Sequence, residues 1–131
     1  MIGVVKTKNV FAPFEESDGE RYLITRHYAA RPKSMKALHI VKWIRDLAPS
    51  KELLSDYHEG LSPEEYTSRF NHEQSNPKAQ EMRKMLWNKS CDGNVTLLCI
   101  CKEGEFCHRL LVKEMIEREN LLSSDLPSFT G

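Results

Sequence analysis

The sequence predicts an α/β fold: a single three-layer domain with a mostly parallel central sheet and helices on both faces. Two observations lead to this prediction. Short apolar, β-branched segments alternate with segments that have helical spacing and helix caps, a pattern typical of α/β proteins. Residues 95–101 are apolar on both faces except for Thr96, as expected of a strand buried within a parallel sheet.

The length and composition of the chain indicate one globular domain. A chain of 131 residues has the size of one domain, so we expect residues 1–131 to form it, with a loose tail from about residue 121. The chain is 40% apolar and 29% charged, and 19 basic residues balance 19 acidic ones. This charge balance does not favour strong non-specific binding of nucleic acid. A local basic patch is still compatible with a net charge of zero.

The chain has neither an apolar run of about 20 residues, which a membrane span needs, nor a signal-peptide layout at its start. We therefore expect a cytoplasmic protein that does not enter a membrane. In that compartment its four cysteines are expected to be thiols rather than disulfides. The sequence does not indicate an oligomeric state.

The first half of the chain has weaker signals than the second. We expect strands at residues 2–5 and 22–25, separated by a loop rich in turn-forming and acidic residues. Residues 37–48 are ambiguous, and the spacing of their apolar residues favours a helix.

Three helices are predicted from their caps. Ser50 can cap a short helix over residues 51–57. Ser62 precedes Pro63 and lies three residues before Glu65, a combination that satisfies or avoids unpaired backbone donors at a helix start. Asn76 and Pro77 begin a third helix in the same way, and it is expected to stop near residue 90.

The last helix is expected over residues 107–119, directly after the buried strand and a short loop. Cys107, Leu111 and Met115 recur every four residues, so they should form its core-facing stripe. In parallel α/β sheets, ligands bind beyond the carboxyl ends of the strands. That rule selects three segments here, namely residues 6–8, Arg26 with His27, and residues 102–109.

Cys107, His108 and Arg109 are the leading candidates for chemistry. A helix start favours the thiolate form of a cysteine, so Cys107 is a candidate nucleophile with His108 as a proton carrier. The alternative is that Cys107 is a small buried core residue. Arg109 at a helix start suits a phosphate or carboxylate, and its alternative is a surface arginine or an ion-pair partner.

A second basic segment follows the second predicted strand. Arg26, His27 and Arg31 can form another wall of the same anion site, or they can belong to a solvated loop. With Arg109, they make a phosphorylated small molecule, a nucleotide or a nucleic-acid end the expected partner.

Cofactor and metal motifs are not recognised in the sequence. It contains neither of the two glycine-rich phosphate-binding motifs, and no cofactor is predicted. The spacing of Cys99, Cys101, Cys107 and His108 does not match that of structural zinc sites, so no metal is predicted. A cysteine-phosphatase loop starting at Cys101 would need arginine where Cys107 stands.

Several segments together resemble the YeaO-like family, domain of unknown function 488. They are residues 18–26, 43–53, 66–70 and 95–98, and the Cys107-His108-Arg109 motif. The resemblance implies a single α/β domain and no particular activity. This chain has Thr25 where the family commonly has aspartate, and its residues 28–31 differ from the family's usual Trp-Pro-Arg-Gly, so its ligand is expected to differ if that loop shapes the site.

Three functions stay open at this point. The first is an anion-binding module that uses Arg26 and Arg109. The second is a cysteine-dependent enzyme with Cys107 as nucleophile, and the third is a scaffold that binds a partner protein. Anion binding is favoured because it requires fewer side chains to be placed correctly than catalysis does.

Overall fold

A computed structural model describes residues 3–26, 32–100 and 107–130. They contain a four-stranded, all-parallel sheet, which confirms the predicted single α/β domain. In spatial order the strands are β1-β4-β2-β3. Their bounds are Val5–Asn9 (β1), Glu20–Leu23 (β2), Ile40–Trp43 (β3) and Val95–Cys99 (β4).

Strand β4 lies inside the sheet. It pairs in parallel with β1 on one side and with β2 on the other, so that Val95 is aligned with both Val5 and Glu20. All five residues of β4 are buried. The prediction of a buried internal strand is therefore confirmed.

Five helices are described, and side chains of the sequence fix where three of them begin. Their bounds are Pro32–Ala37 (α1), Lys51–His58 (α2), Pro63–Glu73 (α3), Pro77–Ser90 (α4) and His108–Thr130 (α5). The side chains of Ser50, Ser62 and Asn76 each accept a hydrogen bond from a backbone amide in the first turn that follows, at 2.9 to 3.2 Å. The three caps predicted from the sequence are thus confirmed. None of the helices described is both long and apolar enough to cross a membrane.

The two faces of the sheet carry separate cores. Because side chains alternate along a strand, Leu97 and Leu98 of β4 point to opposite faces. Leu97 belongs to the larger core, which α3, α4 and α5 cover on the first face. Leu98 belongs to a smaller core on the second face, where Met35 of α1 packs. Helices therefore lie on both faces, as predicted.

The predicted helix over residues 37–48 is wrong. This segment contains β3, which pairs in parallel with β2, followed by a 3₁₀ turn at Arg45–Leu47. The Ile44 amide donates to the Leu23 carbonyl at 2.7 Å, which continues the strand pairing past Trp43. A strand of four residues shows too little alternation of apolar and polar residues to be distinguished from a chance helical spacing of apolar residues.

Other element bounds shift as well. Strand β1 begins at Val5 rather than at residue 2, so residues 6–8 lie within the strand and not at its carboxyl end. Strand β2 spans Glu20–Leu23 rather than residues 22–25. Helix α5 continues to Thr130, past the predicted end at residue 119.

The carboxylate of Asp18 organises the charges on the second face. Asp18 is fully buried and forms ion pairs with Lys6, Lys8 and Arg21 at 2.9 to 3.2 Å. Burial by itself raises the pKa of Asp18. Hydrogen bonds from Lys8, from the Glu15 backbone and from Lys6 outweigh that effect and lower the pKa to about 2. The lysines of β1 are therefore engaged structurally, which explains why they are not part of a strand-end site.

We expect Asp18→Asn to lower the free energy of unfolding by about 2–4 kcal/mol, because it leaves buried Arg21 without its counter-charge. The pKa of Asp18 is lower in the folded than in the unfolded chain, so this stabilisation is present above pH ~4 and is lost as the pH falls towards ~2. Urea unfolding of both proteins at decreasing pH measures it. Glu16→Gln, an exposed residue of the same turn, is the control. A stability difference that stays constant into acid would contradict this expectation.

Candidate functional site

A cavity lies at the carboxyl ends of β2 and β4, next to the start of α5. Its volume is about 370 Å³. The residues that line it are Thr25, Arg26, Pro49, Leu54, His58, Cys99, Ile100 and His108.

The position of this cavity follows from the topology. The helix that follows β2 in the sequence, α1, packs against β3 on the second face. After β4 the chain enters α5, which packs on the first face and against β1. The helices that follow these two neighbouring strands thus lie on opposite faces of the sheet, which leaves a crevice at the strand ends. A crevice of this kind is where open α/β sheets bind ligands.

Two cysteines meet beside the cavity. Cys99 is the last residue of β4 and Cys107 immediately precedes α5, and their Sγ atoms lie 2.8 Å apart. We call Cys99 and Cys107 the thiol pair. Both residues are buried, and Cys99 is the one that lines the cavity. The sequence predicts Cys107 on the core-facing stripe of α5, and the burial of Cys107 and Met115 agrees with that stripe.

The Arg109 side chain contacts the thiol pair. Its Nη1 atom donates to Cys99 Sγ at 3.3 Å, and only 2% of the residue is exposed. A guanidinium in this position stabilises a thiolate. The described contact of Arg109 is thus with sulfur, and its direct contact with an anionic ligand stays a prediction.

His108 connects the start of α5 to the end of β2. Its Nε2 atom lies 2.6 Å from the carbonyl oxygen of Ile24. A carbonyl only accepts, so Nε2 must carry a hydrogen. In the neutral ring, Nδ1 is then an acceptor, and it lies 3.6 Å from Cys107 Sγ. The imidazole can therefore take a proton from Cys107.

Thr25 presents a buried hydroxyl to the same cavity. The residue is 5% exposed, and its Oγ1 atom has no hydrogen-bond partner among the described residues. Its carbonyl accepts from Trp43 Nε1 at 2.6 Å, which fixes the backbone here. An unsatisfied buried hydroxyl costs stability, so its presence at a cavity wall suits a polar ligand.

The other predicted anion ligands have different outcomes. Arg26 is exposed and lines the cavity, at the strand end where it was expected. His27 and Arg31 lie outside the described residues, so their part in a site stays a prediction.

The sequence did not indicate three of the lining residues whose side chains could bind or react with a ligand. Thr25 had one signal, because it precedes Arg26 at the end of a strand and replaces the family's usual aspartate. Cys99 had a weaker signal, because it lies near the carboxyl end of the predicted buried strand. His58 had none, because only the packing of α2 brings it to this edge. Among the residues with described positions, no three His, Cys, Asp or Glu side chains form a group that could hold a metal ion.

Comparison with known protein families agrees with the resemblance seen in the sequence. The family model described as DUF488-N3a, the active DUF488-N3 subclade, matches residues 5–120. No curated protein and no solved structure gave a significant match.

Two buried threonines allow a matched test of the Thr25 hydroxyl. We expect Thr25→Val to raise the free energy of unfolding by about 1 kcal/mol, because it removes an unsatisfied group. Thr96→Val should lower it by about 1 kcal/mol, since Thr96 Oγ1 donates to the Asp18 carbonyl at 2.8 Å. Thermal and urea unfolding of both variants measure this. A loss of stability in Thr25→Val as large as that in Thr96→Val would assign its hydroxyl a structural role instead.

Proposed function

This chain belongs to the DUF488-N3 family, and we propose that it binds a small anionic ligand, a phosphate ester or a carboxylate, in the cavity between β2 and β4. The observation that carries the proposal is the convergence of three polar groups there. Arg26 provides a cation, Thr25 an unsatisfied hydroxyl and His108 an imidazole, all lining one cavity at the switch point of the sheet.

The size of the cavity favours a small molecule over a polymer. Its volume of about 370 Å³ is in the lower part of the range of small-molecule sites. A net charge of zero gives no general attraction to nucleic acid. Among the partners considered from the sequence, a phosphorylated small molecule or a mononucleotide therefore fits best, and a nucleic-acid end fits if only its terminal phosphate enters.

The proposal predicts that Arg26→Ala weakens binding of inorganic phosphate or adenosine monophosphate at least tenfold, because a hydrogen bond to a charged group contributes about 1.5–3 kcal/mol. Titration calorimetry on the full chain measures the dissociation constants. Arg118→Ala is the matched control, since Arg118 is exposed and lies near the amino end of β1.

Two results would count against the proposal. One is that Arg26→Ala and Arg118→Ala weaken binding equally, which would indicate that any positive charge on the surface attracts the probe. The other is no binding of either probe. Binding of a 5′-phosphorylated oligonucleotide alone would identify a nucleic-acid end as the ligand.

Cysteine-dependent catalysis is a second candidate, and a specific contact favours it. The Arg109 guanidinium lies 3.3 Å from Cys99 Sγ, and His108 Nδ1 lies 3.6 Å from Cys107 Sγ. In this scheme a thiolate attacks the phosphorus of a bound phosphate ester, and the bond from phosphorus to the ester oxygen breaks. His108 carries a proton to the departing alcohol, Arg26 stabilises the developing negative charge, and water then releases phosphate from the sulfur. Because Cys99 lines the cavity and Cys107 lies behind it, we propose Cys99 as the attacking thiol in place of Cys107. The description of the subclade as active is compatible with this role.

The rate of alkylation tests the second candidate. We expect iodoacetamide at neutral pH to modify the thiol pair at least tenfold faster than exposed Cys91, because a thiolate is the reactive form. Mass spectrometry of each cysteine over a pH series gives the rates. Thiols in the pair that react more slowly than Cys91 at every pH would argue against a catalytic cysteine.

A further inference from the structure

The thiol pair has a geometry that neither anion binding nor nucleophilic attack on a ligand requires. The two sulfur atoms are 2.8 Å apart, and a disulfide bond requires about 2.05 Å. Closing the remaining distance needs a shift of less than about 1 Å, within the reach of small side-chain rotations. Both cysteines are in the reduced, thiol form in this structure.

The two sulfur atoms of the pair have different polar neighbours, and these favour a different role for each sulfur. Arg109 Nη1 donates to Cys99 Sγ and so stabilises the thiolate of Cys99. His108 Nδ1 is an acceptor for the hydrogen of Cys107 Sγ, because Nε2 already donates to Ile24. Cys99 also lines the cavity, so a small oxidant would meet Cys99 first and Cys107 would lie directly behind it.

We propose that Cys99 and Cys107 are a redox-active dithiol that closes reversibly to a disulfide when a small peroxide enters the cavity. With hydrogen peroxide, the Cys99 thiolate attacks one oxygen, the O–O bond breaks, and Cys99 becomes a sulfenic acid, while the departing hydroxide takes a proton from solvent and leaves as water. Cys107 sulfur then attacks Cys99 sulfur, and the S–O bond breaks. The Cys107 proton passes by way of His108 to the departing hydroxide, which leaves as a second water. Two electrons pass from the sulfurs to the peroxide, and an added dithiol reverses the reaction.

Oxidation would change the site as well as the sulfurs. A disulfide has no thiolate, so the Arg109 guanidinium would no longer contact a negatively charged sulfur at Cys99. The new bond would also link the end of β4 covalently to the start of α5. The inference does not depend on anion binding, because it rests on the thiol pair and its two polar neighbours.

The experiment uses the full chain with Cys91 and Cys101 replaced by serine. Cys91 is exposed and Cys101 lies outside the described residues, so their removal leaves only the pair. Trypsin cleaves after Lys89, Lys102 and Arg109, which places Cys99 and Cys107 on two separate peptides. After hydrogen peroxide treatment, we expect these peptides to be joined within one chain, two hydrogen atoms lighter than their sum, and to separate on addition of dithiothreitol.

Further variants of the same protein check each step. With Cys107→Ser, the sulfenic acid of Cys99 should persist and react with dimedone, and with Cys99→Ser neither product should form. Arg109→Lys should slow disulfide formation at least threefold if the guanidinium favours the thiolate. Circular dichroism of each variant verifies that the fold is retained.

Three outcomes would overturn the inference: two thiols that stay free, oxidation of one thiol without a link, or a link only between two chains. Failure of the anion-binding proposal would appear separately, as absent phosphate binding in calorimetry of the reduced protein.

Discussion

Burial of β4 on both of its faces and along both of its edges is the constraint on which the rest of the structure depends. A strand without an exposed side must be internal, so β1 and β2 pair with it from either side and helices cover both faces. The carboxyl end of β4 therefore lies between the ends of other strands, and not at the outer side of the sheet. Cys99, at that end, therefore lies close to residues that follow the neighbouring strand β2 and to residues at the start of α5.

Two groups of charged residues at the sheet have different roles. On the second face, Asp18 holds Lys6, Lys8 and Arg21 in a buried network that stabilises the fold. At the carboxyl edge, Arg26 remains exposed beside the cavity. The sequence predicts Lys6, Lys8 and Arg26 alike at strand ends, because each follows an apolar run. They separate only when the register of β1 and the path of the loop to β2 are known.

Local signals in the sequence were sufficient for part of this fold. Helix caps such as Ser62 act on amides a few residues away, and the apolar run of β4 requires burial by itself, so both could be read directly. Strand β3 could not, because its pairing depends on the position of β2. The thiol pair was also hidden: Cys99 and Cys107 were identified individually, but their contact requires a strand end and a helix start to meet in space.

Strand β3, which the sequence did not reveal, limits how the sheet can grow. It has only four residues, and Lys42 is exposed on it. At the opposite edge, β1 carries Lys6 and Lys8. Short edge strands and edge lysines hinder another strand from docking in register. The sheet is thus terminated on both sides by its own residues, which protects the protein against aggregation through its open edges.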